Sequence, residues 1–259
     1  MKHPLSSIHP DAIIGENVII DPFVTVEKNV VIGDGTHLYP NAVVLNGARI
    51  GKNCNIMSGA VVAGIPQDLK FKGEETLAII GDGTTLRECV TVNRGTASRG
   101  KTVVGSKCLI MAYSHVAHDC ILANNIILGN ATQLAGEVEV EDFAIISGGC
   151  LVHQFSKIGA HVMIQGGSRV NKDVPPYIIA AREPIVYAGV NAVGLRRRGF
   201  AVEQIREIQD IYRTLFLSGL NNTQALETID NEYSESEVRN NIVNFVRNSQ
   251  RGILRSNMD

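Results

Sequence analysis

Aliphatic residues recur at every sixth position through most of this chain, and that spacing excludes more architectures than any other property of the sequence. Counting by six from Val104 gives Val104, Ile110, Val116, Leu122, Leu128, Leu134, Val140, Ile146, Val152, Ile158, Ile164 and Val170, twelve positions that are all Val, Ile or Leu. The same register holds from Ile8 through Ile14, Ile20, Val26, Ile32, Leu38, Val44, Ile50, Ile56 and Val62, and returns at Ile80, Leu86 and Val92. An amphipathic helix repeats its apolar residues about every 3.6 positions and a half-buried strand about every 2. Neither yields six. A period of six belongs to hexapeptide repeats, in which short parallel strands wind into a solenoid. Three such strands make a coil of 18, so the 25 sampled positions amount to about eight coils, stacked ~4.8 Å apart as neighbouring strands are.

A second column lies four residues after the first and is mostly small: Ala12, Val18, Thr36, Ala42, Cys54, Ala60, Cys108, Ser114, Cys120, Thr132, Ala144 and Cys150 among others. Small side chains suit the inside of a narrow prism, as do an aromatic content of 5%, no Trp and 25 Gly. Four of the five Cys fall in this column and read as small core residues. Their odd number and the lack of CxxC spacing argue against a disulfide framework and a zinc ribbon. Gly follows many column residues, at 15, 33, 51, 81, 105 and 159. Such glycines suggest tight corners that need positive φ or a close backbone approach.

Two segments break the register, residues 65–78 and 94–102, and insertions in a solenoid emerge as loops, commonly on the binding face. Both are charged, and both precede the coil that carries His115 and His118. After Val170 the run Asp173-Val174-Pro175-Pro176-Tyr177 is expected to end the repeat, because the Pro pair cannot donate to a ladder. From about Phe200 the apolar period becomes helical, with Ile205, Ile208, Ile211, Tyr212, Leu215 and Phe216 on one stripe closed by Ser218-Gly219. Thr223 is expected to open a second helix, and Ser234-x-x-Glu237 reads as a capping box before a third. The organisation implied is a β-solenoid over 1–190 and a C-terminal helical domain over 191–259, which caps the solenoid's end.

The charge balance, 24 basic against 26 acidic residues, argues against a nucleic-acid binder. No window approaches 18 uncharged apolar residues and no signal-like start is present. The expectation is a soluble cytoplasmic protein without a membrane segment.

Coil arithmetic places chemistry. Residues 18 apart stack, so His118, Gly136 and Gln154 occupy adjacent coils on one face. An imidazole that takes a proton from a hydroxyl, beside a bare peptide N–H that stabilises an oxyanion, suits acyl transfer. Asp119 or Asp68 then orients the substrate or the imidazole, while Lys70 and the run Arg196-Arg197-Arg198 are candidates for phosphate. No hydrolase elbow or phosphate loop is present.

Seven segments, in this order, carry a resemblance: Gln67-Asp68-Leu69-Lys70, Val90 to Thr96, His115 to Cys120, Leu134-Ala135-Gly136, Val152 to Phe155, Asp173 to Tyr177, and Arg197-Arg198-Gly199-Phe200. Over nearly its whole length the chain resembles the bacterial family of acyl-carrier-protein:UDP-N-acetylglucosamine O-acyltransferases, which start lipid A synthesis. The resemblance implies a mainly β fold, a left-handed parallel β-helix followed by helices, and a homotrimer with sites between neighbouring solenoids. It implies UDP-N-acetylglucosamine and 3-hydroxyacyl-acyl-carrier protein as partners, with no cofactor and no metal. It puts the general base at His118 and the oxyanion N–H at Gly136. It has Asp68, Lys70, His115, Asp119, His153, Gln154, Asn191, Arg197 and Arg198 contact the sugar nucleotide or line the cleft. Gly166 takes the position that gates acyl length and, lacking a side chain, implies a long chain. Three positions depart from better-known members, which carry His where this chain has Glu137 and Asn93, and Glu where it has Val193.

Three other readings compete. The related acyltransferase that acts on an amine adds an N-terminal uridine-binding domain, for which repeats starting at Ile8 leave no room. A zinc carbonic anhydrase on the same solenoid needs three His with HxxxxH spacing, whereas His115 and His118 form HxxH and His153 and His161 lie eight apart. A non-catalytic scaffold does not account for the stacked polar column.

Overall fold

The structure, a computed structural model, describes residues 2–256. Short parallel strands, most of two residues, lie on the three faces of a left-handed β-helical prism. The first face is a nine-stranded sheet that includes Ser7–Ile8, His115–Val116 and Arg169–Val170. The second has eight strands, with Ile13–Ile14, Ile121–Leu122 and Lys157–Ile158, and the third has eleven, with Ile19–Ile20, Ile127–Leu128 and Met163–Ile164. The sixfold column points inward: Val116, Leu128, Leu134, Ile146 and Ile164 are all 0% exposed.

Pairing follows the count of 18, as in Val116 with Leu134 and Leu134 with Val152. Across the first break Val62 pairs with Val92, and across the second Ile80 pairs with Val104. The extra residues loop out and the ladder resumes in register, because a one-residue slip would turn every aliphatic outward.

The small column has its own bonding rule. Thr36 donates to Gly51 O, Ser114 to Gly129 O and Thr132 to Ser147 O, while the Cys54, Cys108, Cys120 and Cys150 thiols reach Gly81 O, Ala123 O, Ala135 O and Gln165 O. Each bonds a corner carbonyl of the next coil, as burial of a backbone polar group requires, and Gly129 O accepts from Thr132 N as well. Those four Cys are buried and Cys89 is exposed. Burial pushes the Cys120 thiol up to about 12, so it is inert as a nucleophile.

The corners decide between the two reasons the sequence left open. The glycines at 15, 33, 51, 81, 105 and 159 do not have positive φ. They are required by proximity: a Cβ on Gly105 would lie 2.3 Å from Ala123 O, and one on Gly159 2.5 Å from Pro176 N. After these glycines positive φ falls two residues later, on Asn17, Gly35, Asn53, Gly83, Lys107 and His161, and at the equivalent place of other corners it falls on Asn29, Asn41, Asn125, Asp119, Glu137 and Phe143. Asn tolerates the left-handed region because its amide bonds locally.

Stacking outlasts the sequence repeat. Beyond the Pro pair, Ile178–Ala181 adds to the third sheet beside Met163–Ile164, then pairs antiparallel with Val186–Val190, which takes Arg255–Ser256. Four helices intervene: α1 Ala192–Arg197, α2 Val202–Leu217, α3 Asn222–Glu232 and α4 Glu237–Arg247. The short α1 was not expected. Helix α3 is capped by Asn221, ahead of Thr223, and α4 by Ser236 in place of Ser234, because those side chains accept from Gln224 N and Arg239 N. The fully buried Tyr212 of α2 donates to Pro176 O at 2.6 Å and ties the helices to the solenoid's end.

Candidate active site

His118 follows the strand His115–Val116 at the edge between the first and second sheets. It is 8% exposed, and the next residue, Asp119, is fully buried with φ 61. His118 Nδ1 lies 2.9 Å from Asp119 Oδ2. A carboxylate only accepts, so Nδ1 carries a proton, and in the neutral ring that leaves the lone pair on Nε2. Nε2 is 4.0 Å from Asp68 Oδ2, beyond hydrogen-bond reach. Of the two carboxylates between which the sequence left the choice open, Asp119 holds the ring and Asp68 faces its free nitrogen.

The ring lies over Gly136. A Cβ there would fall 2.5 Å from His118 Cε1 and 2.6 Å from Nε2. Gly136 does not have positive φ, so its glycine identity answers to the imidazole. The Gly136 N–H has no hydrogen bond within the chain among the described residues. Gln154 stands in the next coil, where Phe155 N donates to Gly136 O, and the His153 ring nitrogen Nδ1 is 2.9 Å from Gln154 O.

Asp119 is crowded with donors. Thr96 N and Oγ1 reach its two oxygens at 2.9 and 2.7 Å, and Arg99 N reaches Oδ1 at 3.2 Å. Burial works against its charge, but the bonds from Thr96 and His118 outweigh it and hold the carboxyl below its ordinary value. These donors come from the 94–102 insertion, which the 65–78 insertion braces: Asn93 donates to Ile65 O, and the Arg94 guanidinium covers the Phe71 ring at 5.3 Å. The two loops therefore meet at the His118 coil. Thr96 and Arg99 were missed as site residues because positions in an irregular loop cannot be found by counting.

His115 bonds Thr91 Oγ1 at 2.7 Å; burial, then the nearby His118, push its pKa down. Lys70 is exposed, two residues beyond Asp68. Glu137, one of the departures, pairs with Arg99 at 3.8 Å. Asn93 is buried, while Val193 is exposed on α1.

The remaining candidates lie elsewhere in the chain. Gly166 is exposed at the edge between the third and first sheets. Asn191 is buried, caps α1 by accepting from Gly194 N and donates to His161 O. Arg197 is exposed, and the Arg198 guanidinium lies 5.2 Å from the Phe143 ring, at the edge between the second and third sheets. A cavity of about 380 Å³ there is lined by Phe143, His161, Tyr177, Arg198 and Phe200 among others. Among the described residues, no group of three His, Cys, Asp or Glu side chains gathers as a metal ion needs. No helix among them is long and apolar enough to cross a membrane.

A left-handed β-helix that presents an Asp-held imidazole over a glycine defines a hexapeptide-repeat acyltransferase architecture, and comparison with known proteins specifies it. Residues 173–254 match the family model described as Udp N-acetylglucosamine O-acyltransferase, Domain 2, and residues 3–107 match that of the GMPPB C-terminal domain. The acyl-acyl-carrier-protein:UDP-N-acetylglucosamine O-acyltransferase of Alkalilimnicola ehrlichii is 50% identical over 97% of this chain and 98% of its own. That of Aliivibrio fischeri is 48% identical over 98% and 100%. The crystal structure of the UDP-N-acetylglucosamine acyltransferase from Bacteroides fragilis superposes with a TM-score of 0.97 at 54% identity, covering 98% of this chain and 100% of that one. The chain belongs to the acyl-acyl-carrier-protein:UDP-N-acetylglucosamine O-acyltransferase family.

Proposed function

We propose that this protein transfers a 3-hydroxyacyl chain from acyl-carrier protein to the 3-hydroxyl of UDP-N-acetylglucosamine, the first step of lipid A biosynthesis. The observation that carries the reading is the His118 imidazole, with Nδ1 bonded to Asp119 and Nε2 free above Gly136. Nε2 removes the hydroxyl proton as the sugar oxygen attacks the thioester carbonyl. The carbonyl electrons move to oxygen, where the Gly136 N–H stabilises them. The C–S bond then breaks, and the imidazolium returns its proton to the departing thiolate. Atoms and charge balance with no covalent enzyme intermediate, so one base suffices.

Asp68, Lys70, His115, His153 and Gln154 are the groups we assign to the sugar nucleotide near the base. Asn191, Arg197, Arg198 and Gly166 lie at the other edges of the prism, and a homotrimer that sets one solenoid's edge against its neighbour's would complete each site. The exposed Leu151, Phe155 and Met163 on those faces and corners support such burial. Residues 1–190 and 191–259 are taken as the acyltransferase and helical parts of a cytoplasmic enzyme.

The test is an acylation assay with UDP-N-acetylglucosamine and a ladder of 3-hydroxyacyl-carrier proteins. Acyl-UDP-N-acetylglucosamine is expected with long donors preferred, and Gly166→Met is expected to shift the preference to shorter ones. No product from any donor overturns the reading, and a wild-type preference for short donors overturns the role of Gly166. Sedimentation at a mass other than three chains overturns the trimer.

A further inference from the structure

We infer that the 94–102 loop is a buckle that positions the base, with Thr96 and Arg99 as positioning residues acting through Asp119. The inference rests on the acyl transfer proposed above. Three of the four donors on the Asp119 carboxylate come from this loop: Thr96 N, Thr96 Oγ1 and Arg99 N. Only the fourth, His118 Nδ1, belongs to the base. Thr96 Oγ1 and His118 Nδ1 share one carboxylate oxygen, Oδ2. The plane in which Oδ2 meets the imidazole is therefore set by what the loop does to the other bonds.

The loop has its own fastening. The Arg99 guanidinium reaches Glu139 Oε1 at 2.6 Å and Glu137 Oε2 at 3.8 Å, and Lys157 closes on Glu139 at 3.2 Å. Glu137 and Glu139 follow Gly136, so they belong to the coil on which the His118 ring rests. One end of the buckle grips Asp119, and the other grips the coil beneath the imidazole. Ring orientation and the distance of the ring from Gly136 are thus set by the same loop. Planar, forked donors such as guanidinium resist replacement by a single point of charge. Glu137, like Glu139, is a partner of Arg99.

Thr96 is 7% exposed and Asp119 is fully buried, so water cannot replace a lost hydroxyl donor without displacing the loop. A misplaced base slows proton transfer while leaving the sugar-nucleotide contacts intact, and that splits kcat from KM.

The experiment compares wild type, His118→Ala, Thr96→Val, Thr96→Ser and Arg99→Met in the acylation assay, with kcat, KM for UDP-N-acetylglucosamine and the pH profile of kcat for each. Thr96→Val is expected to lower kcat about 10-fold or more and to change the acid limb of the profile, with KM within about twofold. Thr96→Ser, which keeps the hydroxyl, is expected to stay close to wild type, and Arg99→Met to lie between them. Wild-type kcat and profile in Thr96→Val overturn the inference, as does an equal loss in Thr96→Ser. If Thr96→Val does not fold, the same split in Arg99→Met decides, and wild-type kinetics there overturn it. An inactive wild type, or an active His118→Ala, overturns the acyl-transfer reading and the buckle with it, a pattern distinct from failure of the buckle alone.

Discussion

Two edges of the same prism show how differently one backbone can be used. At the edge between the first and second sheets Asp119 takes φ 61, and at the edge between the second and third Phe143 also takes φ 61. The first edge buries a carboxylate among four donors beneath an inserted loop. The second stacks Phe143 on His161 at 5.0 Å, with Tyr177 at 5.7 Å, Phe200 at 5.0 Å edge-on and Arg198 over the Phe143 ring. His161 Nδ1 is buried without a hydrogen-bond partner. Burial, then the Arg198 charge, push the His161 pKa down to about 4. One edge is built to keep a charge and the other to refuse one. The solenoid backbone is indifferent to the choice, which is made by the segments packed over each corner.

The largest effect that would sharpen this contrast is at the polar edge. His118→Ala is expected to lower acyl transfer about 10²- to 10⁴-fold, the range for a lost general base, with the fold unchanged by circular dichroism; full activity would end the mechanism. Gly136→Ala is expected next. Its Cβ would sit 2.5 Å from His118 Cε1, so the ring must move and activity should fall about 10²-fold, as for other displacements of a reacting group. Activity equal to wild type would show that the ring has room to spare.

Acid should separate the two edges. Folded His161 takes its proton only near 4, whereas an unfolded chain takes it near the ordinary 6.5. Stability from this group is complete above 6.5 and is lost as pH falls towards 4, because the unfolded state binds the proton first. Asp119 is depressed, so its contribution is present above its ordinary 3.8 and is lost as pH falls through the lower folded value. His161→Phe, which keeps the stack, is expected to flatten the denaturation midpoint between pH 6.5 and 4 and to leave the loss at lower pH. Equal slopes in wild type and His161→Phe across that window would remove the distinction. The smallest effect is structural: Tyr212→Phe deletes the bond to Pro176 O and is expected to cost about 1 kcal/mol by denaturant titration, with acyl transfer unchanged.

Much of this was legible as a count. The sixfold column predicted the inward face, the 18-residue coil predicted the stacking of His118 on Gly136, and the small column predicted four buried Cys. Counting failed where the chain leaves the ladder. At six corner glycines the sequence left two reasons open, positive φ and close backbone approach, and only the structure selects the second, since proximity to the next coil depends on pitch as well as period. The caps at Asn221 and Ser236 were misplaced by two residues, because several polar residues in each stretch can reach a helix N–H. Thr96 and Arg99 carried no periodic signal at all.

The sequence by itself determined the solenoid, its coil length, its inward face and the coil on which His118 sits. A repeat that must bury one face and satisfy every ladder bond admits a single register. Only the tertiary structure decided which carboxylate holds His118, why residue 136 must lack a side chain, and which loop closes over Asp119. The last two depend on distances between segments 18 to 23 residues apart, set by packing across coils and by insertions whose path no period dictates.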